Sequence, residues 1–409
     1  MDDVRYFQEA QEKFHWAPSG FEKTQFCTSR GNVKTRTRGF DMNQLPQTFQ
    51  DAITITRELQ KRYLWIDSLC IVQDDAADWE QESQLMETVF KNAYCTIAAS
   101  SAQDSTEGFL EKLPPYREHT SSHGPVYVCA AVDDFTSDVE NSALNKRAWV
   151  LQERALSRRT IHFTASQIYW ECGDGVRCET LTHMRNSKAL FLGDPKFPKA
   201  LASRPDTVKI ELFQSLFTRY SQLGLTYPTD RPIAISALQK QLADTFKTEG
   251  KHGVFESLLH RSLLWQRSGP TRLERIFDKT DRRVPSWSWM AYNGGIEYME
   301  IKSDQVEWNE GVKLVGDKLS AQVRTLRTTR TYHASKWLTY DEGDSMNVRR
   351  LRCVITGRTR SGFTGEQRYY VLVTVPRRLE GLRIFERVGV GAVPERSISF
   401  ESGEDAWIL

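Results

Sequence analysis

The chain has 409 residues, 39% hydrophobic and 26% charged, with a formal net charge of +2. That suits a soluble globular protein of two or three domains and excludes a global basic field for nucleic acid or an anionic membrane. No apolar run approaches the ~20 residues of a membrane span, the polar opening MDDVRYFQEAQEKF is unlike a signal peptide, and seven cysteines make no disulfide framework, so a reducing cytoplasmic location is expected.

In chain order, LPQTFQDAITITRELQKR (45 to 62) opens with Pro and repeats Phe49, Ala52, Ile53 and Leu59 at helical spacing. RYLWID follows, a short apolar run ending in Asp67 that reads as a strand buried on both faces. DWEQESQLMETVFKNA (78 to 93) predicts a second amphipathic helix, with Trp79, Met86, Val89 and Phe90 on one stripe and Asp78 as N-cap. CTIAAS (95 to 100) reads as another buried strand, closing at Ser100. RAWVLQERAL (147 to 156) is helical and leads into the strands RTIHF (159 to 163) and QIYWEC (167 to 172).

The alternation predicts an α/β fold, a mainly parallel sheet with helices on both faces. YLWID and TIAA would be its central strands. Ligands gather at the carboxyl ends of such strands, which singles out Asp67 and Ser100. Residues 101 to 146 break the pattern and read as an insertion, with PVYVCAAV an added strand, inside a first domain spanning 1 to 178. Residues 179 to 300 read as a linker and a mainly helical region ending in PSWSWMAYNGG (285 to 295). Its aromatics, Trp287, Trp289 and Tyr292, are expected to pack back on the first domain. Residues 301 to 409 favour strands and predict a small antiparallel sheet.

Chemistry is sparse. There is no P-loop, G-x-G-x-x-G or G-x-S-x-G, so no cofactor is expected. Cys172, Cys178 and His183 lack zinc-ligand spacing, and two neighbouring thiols is the plainer reading. Cys70 lies just past Asp67, where a site would form. It reads either as a buried small hydrophobe or as a nucleophile served by a spatial partner such as His162. Glu153 and Trp149 sit four residues apart on one helix face. Glu153 reads as a solvated charge paired with Arg147, Arg154 or Arg158, or as an enclosed working carboxylate, since Val150, Leu151, Ala155 and Leu156 flank it.

Taken in order, LPQTFQDAI, RYLWIDSLCIVQDDAADWEQES, VFKNAYCTIAASSA, RAWVLQERALSRRTIHF and YWEC resemble the fungal heterokaryon-incompatibility (HET) domain. LTYPTDRPIAISAL and PSWSWMAYNGGI resemble segments that commonly follow it. The family usually opens with L-S-x-x-W-G. Here EKFHWAP supplies Trp16 but not the Leu-Ser or the Gly.

The resemblance implies a TIR-like, flavodoxin-like domain and a role in cell death after fusion of unlike cells. TIR domains that cleave NAD carry W-x-x-x-E with a catalytic Glu, which Trp149 and Glu153 match in spacing. On that basis Glu153, Asp67 and Cys70 are the catalytic candidates. Trp16, Ser100, Trp149 and Arg154 are the candidates for holding a small-molecule substrate such as NAD. Two alternatives stand beside this reading. One is a secondary-metabolite enzyme using the same fold on another small molecule. The other is a non-catalytic module that binds a protein partner or a second copy of itself.

Overall fold

The computed structural model describes residues 26–110, 116–122, 124–129, 134–179, 182–184, 197–277, 284–302, 305–327, 337–343, 351–360, 366–379 and 382–409. They divide into two compact units, Met1–Phe197 with Gly224–Thr226, and Pro198–Leu223 with Tyr227–Leu409. The helical and β-rich regions that the sequence separates at residue 300 therefore belong largely to one unit. The physical reason is a shared core, in which Val254, Leu263 and Trp287 cluster with Val323, Leu372 and Ile408.

In the first unit a single turn, α1 (Val33–Arg36), precedes α2 (Gln47–Glu58), whose inner face buries Phe49 and Ala52. Helix α2 stops where Gln60 adopts a left-handed conformation (φ 55°), and the Lys61 N–H closes on the Thr56 carbonyl at 2.9 Å. YLWID is not a sheet strand. It runs extended with one bridge at Trp65, and Asp67 begins a one-turn helix, α3 (Asp67–Cys70). Helix α4 (Ala76–Asn92) is capped by Asp75, whose carboxylate accepts from the Ala77 and Asp78 N–H groups. Asp78, the expected cap, instead accepts from Val72 N–H at 2.7 Å.

Strand β1 (Thr96–Ala98) follows, then the hairpin β2 (Tyr116–Ser121) and β3 (Gly124–Cys129), which includes the added strand expected near PVYVC. Helix α5 (Ala148–Leu156) then leads to β4 (Arg159–Phe163), β5 (Ile168–Cys172), β6 (Gly175–Cys178) and β7 (His183–Met184).

The sheet order is β1-β4-β5-β6-β7. Only β1 and β4 are parallel, and β4 to β7 form an antiparallel meander. The unit is mixed α/β with a parallel-containing sheet, rather than mainly parallel, and β1 is at the edge among the described residues. Short links force this. Thr164 N–H bonds the Gln167 carbonyl at 3.1 Å, and Gly173 and Asp174 turn β5 into β6. A parallel crossover needs a dozen or more residues.

The second unit holds α6 (Asp206–Ser221) and α7 (Ser236–Phe246) around an aromatic cluster in which Phe217 stacks on Phe255, centroids 6.0 Å apart. Trp287 and Trp289 are fully buried in this unit's core, not on the first domain as expected. PSWSW is no strand. Trp289–Ala291 is a 3-10 turn capped by the Ser288 hydroxyl. The C-terminal strands Lys318–Leu326, Arg352–Thr359, Arg368–Leu379, Leu382–Pro394 and Ile398–Ile408 pair in a ring that closes on itself. The expected small sheet is thus a closed barrel, which removes the exposed edges of its five strands. Among the described residues no helix is long and apolar enough to cross a membrane.

Candidate functional site

The period-2 geometry of a strand decides what faces the site. Register pairs Thr96 with Thr160 and Glu171, and Ala98 with His162 and Tyr169, so these side chains share one face of the sheet. A cavity of about 370 Å³ opens on it, and Thr96, Ala98, Thr160 and His162 line it. Its apolar wall comes from Leu59, Leu64, Trp65, Phe90, Ile97 and Val150. Asn145, Arg147, Glu153 and Arg154 bring polar groups from α5 and the turn before it.

The left-handed turn at Gln60 delivers Lys61, Arg62 and Tyr63 to the same cavity. The Lys61 ammonium lies 3.8 Å over the Tyr94 ring, and the Arg62 guanidinium 5.6 Å from the Tyr63 ring. Beyond these cations the aromatics remain part-open, Tyr63 43% and Tyr94 50% exposed.

Behind the cavity lies a buried ionic cluster. Arg154 meets Glu171 bidentately (Nε–Oε2 2.6 Å, Nη2–Oε1 2.8 Å) and reaches Glu140 Oε1 at 2.8 Å and Asn145 Oδ1 at 3.2 Å. The His162 Nε2 lies 3.2 Å from Glu171 Oε2. Phe135 closes the cluster with its edge-on contact to His162 and its place 5.5 Å beneath Arg154. Burial alone would raise the Glu171 carboxyl, but the Arg154 charge and the hydrogen bonds from His162 and Arg154 bring it well below its ordinary value. Burial pushes His162 below its ordinary value, against the opposing effect of its hydrogen bond to Glu171. Among the described residues, with His162 neutral, two carboxylates and one guanidinium leave the cluster one negative charge in excess.

Of the residues singled out from sequence, Glu153 and Arg154 line the cavity. Asp67, Cys70, Ser100 and Trp149 are not among its lining residues. Asp67 is buried at the start of α3, Cys70 is half-buried at its end, and Trp149 is buried in α5. Ser100 is buried two residues past β1, and its hydroxyl has no hydrogen-bond partner among the described residues. Trp16 lies outside the described residues. The His162 imidazole bonds Glu171, not a thiol. Arg154, expected to hold substrate, directs its donors to Glu140, Glu171 and Asn145.

Sequence reasoning missed Glu140, Asn145 and Glu171. Glu140 and Asn145 come from the segment read as an insertion. Glu171 carried a signal, being a carboxylate inside an apolar alternating strand. Among the described residues no group of three or more His, Cys, Asp or Glu is placed to hold a metal.

A cavity with aromatic and apolar walls, a few convergent charges and a carboxylate thus opens on the mixed sheet of this α/β unit. Residues 14–153 match the family model described as heterokaryon incompatibility protein (HET). The match takes in α1 to α4, β1, the Gln60 turn and α5 as far as Glu153, while His162 and Glu171 lie beyond it. No curated protein and no solved structure matches the chain significantly.

Proposed function

We propose that this protein acts in the cytoplasm in heterokaryon incompatibility, on a TIR-like domain that cleaves the nicotinamide–ribose bond of NAD. The observation that carries the reading is the Glu153 carboxylate on the wall of a cavity edged by Tyr63, Trp65 and Tyr94. Breaking that bond builds positive charge on the ribose. A fixed carboxylate beside it stabilises the oxocarbenium character, and the excess negative charge behind the cavity adds to it. Nicotinamide leaves readily, so positioning supplies much of the rest. In this reading the diphosphate lies toward Arg62 and Arg147, which line the cavity.

The test is incubation of the pure protein with NAD, following free nicotinamide. No release under any condition in which the protein stays folded ends the reading. The apolar share of the wall, including Leu59, Leu64, Ile97 and Val150, favours a second reading, a biosynthetic enzyme acting on a less polar small molecule. That reading gains if an apolar aromatic carboxylic acid, but not NAD, raises the melting temperature.

A further inference from the structure

We propose that His162 is the proton-accepting residue of this cavity and that Glu171 positions its imidazole. The inference takes its substrate from the NAD reading above, but its first test does not.

The argument begins with the tautomer. Glu171 is ionised, so the 3.2 Å contact with His162 Nε2 requires the proton on Nε2. The lone pair then sits on Nδ1. That nitrogen is buried and has no hydrogen-bond partner among the described residues, although His162 lines the cavity. A buried imidazole nitrogen left without a partner is costly. A ligand or water in the cavity would satisfy it.

The charges facing His162 suit transient protonation. Glu171 comes from β5, Arg154 from α5 and Glu140 from the turn Thr136–Glu140. A proton on His162 cancels the cluster's one excess negative charge. Burial keeps the resting imidazole neutral, which is the form that accepts a proton.

In the proposed step a cavity water gives a proton to Nδ1 while its oxygen bonds the anomeric carbon. The carbon–nitrogen bond to nicotinamide breaks, and its electron pair neutralises the pyridinium nitrogen. The proton then leaves His162 for solvent. Glu153 stabilises the ribose cation throughout.

The first test is diethylpyrocarbonate labelling of the folded wild-type chain, read by peptide mass spectrometry. Reagent entering the cavity should carbethoxylate Nδ1, despite the 1% exposure of His162. If exposed His183 is labelled and His162 is not, the proposal is overturned. The second test applies where wild type cleaves NAD. His162→Gln keeps a donor toward Glu171 but cannot take a proton. It should lower kcat by about 100-fold, leave KM near wild type, and lose the acid limb of the pH profile. A His162→Gln protein with wild-type kcat overturns the proposal and spares the NAD reading. A wild-type chain that releases no nicotinamide ends the NAD reading, and the labelling result then decides His162, as it does if the variant fails to fold.

Discussion

Arg154 and Glu171 meet through two nearly parallel hydrogen bonds, 2.6 and 2.8 Å long, with both side chains 2% exposed. Removing the guanidinium strands the Glu140 and Glu171 carboxylates in a site closed to water. Arg154→Met should therefore cost on the order of 3–5 kcal/mol of stability, read by denaturant unfolding. Arg154→Lys should recover little of it, since an ammonium cannot form the fork. A loss below about 1 kcal/mol for Arg154→Met would show that the cluster relaxes or takes up water.

The adjacent residue should behave in the opposite way. Glu153 is half-buried on the cavity wall, so Glu153→Gln should leave the melting temperature near wild type. Under the proposed function it should lose ~3 kcal/mol of transition-state stabilisation, roughly a hundredfold in turnover. Rates and melting curves on wild type, Glu153→Gln and Glu153→Ala decide the point. A fully active Glu153→Gln protein removes Glu153 from catalysis.

Acid should weaken the fold in two stages. His162 titrates below its ordinary value when folded, so the unfolded chain binds more protons just under pH ~6.5 and stability falls as pH drops through that range. Glu171 is held below its ordinary value, so its contribution is full above pH ~4.3 and is lost as pH falls further. Urea unfolding free energies from pH 8 to pH 3 should show both declines. A profile flat from pH 7 to pH 5 would place His162 outside a desolvated site.

Glycine has a steric duty in the barrel. A Cβ at Gly391 would sit 2.2 Å from the Trp337 carbonyl oxygen, and one at Gly389 2.5 Å from that of Thr339. These are backbone atoms of the segment that crosses Leu382–Pro394 through Leu338–Tyr340, and they have no room to yield. Gly391→Ala should destabilise the second unit by ~1–3 kcal/mol, measured by following tryptophan fluorescence through a denaturant titration. Gly316→Ala is the contrasting control for steric overlap, because its Cβ would meet nothing within 4 Å.

How much of this was legible follows from which physical signal each feature leaves. Phe49 and Ala52 recur at 3.6-residue spacing because one helix face is buried, and helix α2 is where that pattern put it. Strand direction leaves no such periodicity. RTIHF and IYWEC read equally well as parallel or antiparallel, and only the short link from Thr164 to Gln167 tells them apart. YLWID is apolar for another reason: Leu64 and Trp65 pack beneath α2 and α4, and both line the cavity rather than a sheet.

In the site, Glu153 was visible through its apolar flanks. The Arg154–Glu171 bond was not, because its partners are 17 residues apart and meet only once the meander has folded. Gly389 and Gly391 carry no signal of their own in the strand pattern of FERVGVGAV. Their meaning lies in a crossing segment that no local window contains.

Ring closure in the second unit also sets an order of events in time. Lys318–Leu326 finds one partner in Arg352–Thr359 and its other in Ile398–Ile408, the last of these five strands to be synthesised. Until then the nascent chain displays two long unpaired edges able to recruit a neighbour. Translation arrested after Pro394 should accordingly give insoluble material, while a chain carried through Ile408 escapes it.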